Sequence, residues 1–111
     1  MQPETNEDIM SRTPPIDRSH VEELRHILSR LGLQEFHVAK HSPCLRVEAV
    51  DQLGNYPVLR LRRDTVHLWI LELPKSTNRW ETTPYRATMP ELMNMVVADF
   101  GWLLAAHHNP V

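Results

Sequence analysis

Leu45-Arg46-Val47-Glu48-Ala49 and Leu59-Arg60-Leu61-Arg62 alternate apolar with polar residues, and Val66-His67-Leu68-Trp69-Ile70 follows as a third run. A period of two is that of strands with one buried face, because successive side chains leave a pleated sheet on opposite sides. Three such runs in close succession predict an antiparallel meander in the middle of the chain. Its apolar face has to be covered, and the flanking sequence offers two helices to cover it.

The connection between the first two runs sets their register. Asp51-Gln52-Leu53-Gly54 reads as a type I turn with Asp first and a left-handed Gly closing a three-residue loop centred on Leu53. Val47 then faces Leu59 and Leu45 faces Leu61 on the inner side, while Arg46 meets Arg60 on the outer side with Glu48 diagonal to it. An even loop would put the two apolar sets on opposite faces. The next turn is read at Arg63-Asp64, which pairs Leu59 with Leu68 and Arg60 with His67. This register gathers Arg46, Arg60, Arg62, His67 and Trp69 on the outer face, a platform of arginine and aromatic groups suited to an anion or a nucleic acid. The alternative is a solvated face on which Glu48 and Glu81 neutralise the arginines and a tail or partner covers Trp69.

Upstream of Leu45, a strand over Glu35 to His41 is broken by Ser42-Pro43 before a second begins at Cys44 and runs to Val50. Downstream, Pro74 to Asn78 reads as a loop returning into a short strand from Arg79 to Thr83, where Pro84 ends the pairing. A helix is expected from Asp17 to Leu31, since Val21, Leu24, Ile27, Leu28 and Leu31 share one stripe. Its cap is either Ser19, boxed with Glu22, or Asp17, which would let Ile16 staple onto Val21. Gly32 is the left-handed stop and Leu33 the hydrophobic latch.

A second helix opens at Thr88-Met89-Pro90-Glu91, a capping box with Pro in the first turn, and is expected to run to Ala106. Its main stripe is Leu92, Met93, Val96, Val97, Phe100, Leu103 and Leu104. Met95, Ala98 and Trp102 form a further apolar line, which a helix with one buried face would not carry. The expected fold is α+β: a four- to five-stranded antiparallel meander in two layers, flanked by an N-terminal and a C-terminal helix. Residues 1–14 read as a disordered tail, 15–106 as one domain and 107–111 as a second tail.

The 111 residues carry 12 Lys and Arg against 14 Asp and Glu, for a formal net charge of −2. That balance gives no global attraction to nucleic acid or an anionic membrane, so such binding has to come from a local patch. No apolar run approaches the ~20 residues of a membrane span, and the first residues lack an export pattern. The reading is of a cytoplasmic protein without a membrane partner. The single Cys44 has no disulfide partner in the chain and is expected to be a buried thiol.

Catalytic and cofactor signatures are missing. His37 and His41 would sit about 13 Å apart on an extended segment at ~3.3 Å per residue, too far for one zinc. His107 and His108 have no suitably spaced partner. Asp17, Ser19 and His20 stand at a helix start, where Asp and Ser cap rather than form a triad. With only Gly32, Gly54 and Gly101 there is no phosphate-cradling loop. The sequence therefore reads as a small non-enzymatic protein-binding or accessory protein without cofactor or metal. Self-association as a dimer is expected through Met95, Ala98 and Trp102, and the alternative function is the anion or nucleic-acid platform on the outer sheet face.

Overall fold

A computed structural model describes residues 14–76 and 79–105. The expected tails lie outside these residues, apart from Pro14. Helix α1 (Arg18–Arg30) leads into strands β1 (His37–His41), β2 (Cys44–Asp51), β3 (Gly54–Arg63), β4 (Trp69–Ser76) and β5 (Arg79–Ala87), then helices α2 (Met89–Asp99) and α3 (Gly101–Ala105). The strands form one antiparallel sheet in the order β1-β2-β3-β4-β5. One apolar cluster joins Leu24 and Leu28 of α1, Val47, Leu59, Leu61 and Leu71 of the sheet, and Leu92, Met93 and Val96 of α2. Both longer helices therefore cover the same sheet face. The fold is the expected α+β meander, with five strands.

Between the two caps proposed for α1, Asp17 is the one used. Its Oδ1 accepts from the Ser19 backbone N–H at 2.9 Å, and His20 Nδ1 accepts from the Asp17 N–H at 3.0 Å to close the box. Ile16 is buried just before the cap, with Val21 packed against the same cluster. At the other end Gly32 takes φ +78°, and the Leu33 N–H reaches the Leu28 carbonyl at 2.7 Å. That is the left-handed stop and latch expected there.

β2 and β3 adopt the expected pairing of Val47 with Leu59, Leu45 with Leu61 and Arg46 with Arg60. The route to it differs. Asp51 pairs with Gly54, so the loop is the even one, Gln52-Leu53, with Asp51 Oδ1 accepting from the Leu53 and Gly54 N–H groups at 2.7 and 3.2 Å. Gly54 sits at φ +139°, a backbone region that side-chain-bearing residues rarely enter. The register jumps between Val47/Leu59 and Glu48/Pro57, leaving Val58 as a bulge residue. An extra residue in one strand reverses the facing of everything beyond it. The bulge thus cancels the even loop, and Val58 and Leu59 are both fully buried.

The β3–β4 register departs from expectation. Arg60 pairs with Glu72 rather than His67, and Arg63 with Trp69, so the connection is Asp64–Leu68 instead of a tight turn at Arg63-Asp64. Thr65 organises this loop, its Oγ1 accepting from the Leu68 N–H at 3.1 Å while the Leu68 carbonyl accepts from Asp64 N–H at 2.9 Å. Arg63 holds the loop from the side, donating to the Val66 carbonyl at 2.7 Å and to the Pro15 carbonyl at 2.8 Å. Val66 to Leu68 accordingly lie in the loop and not in a strand.

β4 is shifted from its expected place, starting at Trp69 and running on through Pro74 to Ser76, a stretch read from sequence as loop, and β5 is longer than expected. Pro84 lies within β5, on the sheet edge and in the stretch where the register shifts between Ile70/Arg86 and Glu72/Thr82. An edge bulge tolerates a residue without an N–H, which is why Pro84 does not end the strand. The last helix also differs. It ends at Asp99 with Phe100 at φ −122°, and a separate short helix begins at Gly101. An acidic residue at a helix C-terminus opposes the dipole, and Gly101 is a weak helix former, so the break falls between them.

Candidate functional site

Strand pairing fixes which side chains share the sheet face away from the helices. Arg46 lies opposite Arg60, Arg60 opposite Glu72, and Glu72 opposite Thr82, so one row crosses β2 to β5. Arg62 stands beside it opposite Ile70, and Glu48 follows Arg46 two residues on. Glu72 is buried, 3% exposed, and accepts from Arg60 Nε at 2.6 Å, Arg62 Nε at 3.0 Å and Thr82 Oγ1 at 2.6 Å. Glu48 is similarly buried and accepts from Arg46 Nε at 2.9 Å and Asn55 Nδ2 at 3.0 Å. Burial alone would raise both carboxyl pKa values. The hydrogen bonds from Thr82, Arg60 and Arg62 outweigh it at Glu72, those from Asn55 and Arg46 outweigh it at Glu48, and both groups lie below the usual range.

Arg46, Arg60 and Arg62 thus stand together as the sequence suggested. Trp69 and His67 do not join them. The β3–β4 pairing differs from the expected one by an odd number of residues, which exchanges the faces of β4. Trp69 consequently lies on the helix side, 3% exposed, with His20 against its edge at 5.6 Å and the Arg63 guanidinium over its ring at 5.5 Å. His67 is exposed in the Asp64–Leu68 loop. The aromatic member of the outer face is Trp80, half-buried on β5, with the Arg60 guanidinium carbon 4.5 Å from its ring centroid. Trp80 alternates in phase with Thr82, so a correct β4–β5 register was the signal that could have found it. Glu81, read as a neutralising acid, pairs with Leu73 and belongs to the other phase of the strand.

A second surface lies at the C-terminal helices. Trp102 is 65% exposed, the most exposed aromatic side chain among the described residues, and Tyr85 and Val97 are also exposed. Phe100 bridges Tyr85 at 5.6 Å and Trp102 at 6.4 Å, making a short aromatic ladder. Beside it, Leu31, Leu33, Val97, Gly101, Leu104 and Ala105 line an open groove of about 180 Å³. The helix break at Phe100 divides the line expected along Met95, Ala98 and Trp102. Met95 packs half-buried against the core, whereas Ala98 and Trp102 are exposed on either side of the break.

The chain matches no protein-family model, no curated protein and no solved structure. Among the described residues no three His, Cys, Asp or Glu side chains are grouped to hold a metal ion. His37 and His41 are exposed on the edge strand β1, and His107 and His108 lie outside the described residues. Cys44 is buried, and burial pushes its thiol pKa up. No described helix is long and apolar enough to cross a membrane.

Proposed function

We propose that this protein is a small association module that pairs with a second copy of itself through the surface formed by α2, α3 and Tyr85. The observation that carries the reading is Trp102, 65% exposed beside an apolar groove. A tryptophan buries about 150–250 Å² when covered, so burying what Trp102 still exposes contributes on the order of 2–4 kcal/mol at ~25 cal/mol per Å². Large apolar groups clustered in this way mark interaction surfaces more often than solvated ones. Projecting ring and groove occur side by side on one molecule, which favours a second copy as the partner. In a two-fold pair each protomer offers its ring to the other's groove, and the interface closes on itself.

Trp102→Asp tests the reading, because a carboxylate at that position cannot be buried in an apolar groove without a large penalty. Light scattering should report a dimer for the wild type and a folded monomer for the variant. An identical mass for both proteins would overturn the proposal.

A further inference from the structure

We infer that the sheet face opposite the helices binds single-stranded nucleic acid, with the guanidinium groups of Arg46, Arg60 and Arg62 on phosphates and an unpaired base stacked at Arg60 and Trp80. This goes beyond the association proposed above and uses the other side of the sheet, so the two proposals stand or fall separately.

Arg46 and Arg60 are directly opposed in the β2–β3 ladder, an arrangement that costs stability in a sheet unless something offsets the like charges. The protein offsets it in part. Three arginines share two carboxylates, Arg46 on Glu48 and Arg60 and Arg62 on Glu72, which leaves one surplus positive charge in the cluster. Each of the three contacts is made by Nε. The Arg46, Arg60 and Arg62 side chains keep 30%, 26% and 36% exposure beside these contacts, so part of each guanidinium stays open to solvent. The carboxylates therefore hold the guanidinium groups by one edge and turn their N–H forks outward, the geometry that takes a phosphate bidentately.

The form of the face selects among phosphate ligands. Four cavities elsewhere among the described residues are lined by α1, β1, the segment joining them, α2 and α3, and none of the four includes Arg46, Arg60 or Arg62. Among the described residues the helices pack on the opposite face, and an open strand surface suits an extended polymer better than a small molecule, which needs to be enclosed. Arg60, backed by Trp80 at 4.5 Å, is a stacking plane of the kind on which unpaired bases settle.

The test is fluorescence anisotropy with a short labelled oligo(dT) and its oligo(U) counterpart, titrated with the full chain at low and raised salt. Contacts to two or three phosphates predict a log–log salt slope of roughly −1.4 to −2.1. Arg46→Gln, Arg60→Lys and Trp80→Leu should each weaken binding about tenfold, with unchanged circular dichroism, while Trp102→Asp leaves it intact. Absence of binding by the folded wild type at low salt would overturn the proposal. So would binding that ignores both Arg46→Gln and Arg60→Lys, or displacement of the oligonucleotide by poly-glutamate at equal charge, which would assign the face to an acidic protein.

Discussion

Replacing Glu72 by Gln changes one atom and removes the charge that organises the outer sheet face. The carboxylate is 3% exposed and accepts from two guanidinium groups and a hydroxyl. Gln keeps one acceptor oxygen but points an amide N–H₂ at donors, so at least one of the three hydrogen bonds is lost. Breaking a buried ion pair from one side costs about 3–5 kcal/mol where the remaining charge is stranded. Arg60 and Arg62 side chains retain 26% and 36% exposure, so their charges stay partly hydrated and the cost falls to the lower end, about 3 kcal/mol. Urea unfolding should show that loss at neutral pH as a lower midpoint with an unchanged slope. The pH dependence gives a second reading. The folded-state pKa of Glu72 is depressed, so its stabilisation is fully present above the unfolded value of about 4.3 and is lost as pH falls through the lower folded value. The gap between wild type and Glu72→Gln should therefore be constant from neutral pH down to about 5 and narrow below about 4.3. A loss under about 0.5 kcal/mol, the range of ordinary surface changes, would refute the reasoning, and so would a gap that persists undiminished in acid.

Asp17→Ala should destabilise by about 1 kcal/mol through loss of the α1 cap, and Ser19→Ala by clearly less, as thermal melts would show. Deleting residues 1–13 should leave the melting temperature unchanged, whereas extending the deletion through Ile16 should lower it by several degrees, because Ile16 is buried and the Pro15 carbonyl is held by Arg63. Deleting Val58 should prevent folding by throwing Leu59 and Leu61 out of phase with Val47 and Leu45 on β2, and a residue added to the Gln52-Leu53 loop should restore cooperative unfolding.

The parts of the fold that were legible in the sequence are those set by local chemistry. The α1 stop at Gly32, the capping box at Thr88 and Glu91, and the alternation of β2 and β3 each depend on a few neighbouring residues, and all appear where expected. What escaped was parity. The Gln52-Leu53 loop and the Val58 bulge each shift the facing by one residue and cancel, so the right register was reached through the wrong loop. No such cancellation protects the β3–β4 connection. Its loop has no Gly to mark it and is closed instead by the Thr65 hydroxyl and the Arg63 guanidinium, contacts that need the folded chain to bring Pro15 and Val66 together. The consequence for the candidate site is specific. Arg46, Arg60 and Arg62 could be placed from β2 and β3 alone, whereas exchanging Trp69 for Trp80 required knowing which way β4 faces.

Sedimentation equilibrium of the wild-type protein over a range of concentrations tests the association reading most directly. Pairing through Trp102 predicts a mass rising with concentration towards twice the 13.0 kDa of one chain, together with loss of solvent access at Trp102 as the dimer forms. A mass that stays at 13.0 kDa into the high micromolar range, with Trp102 open to solvent quenchers throughout, would contradict it.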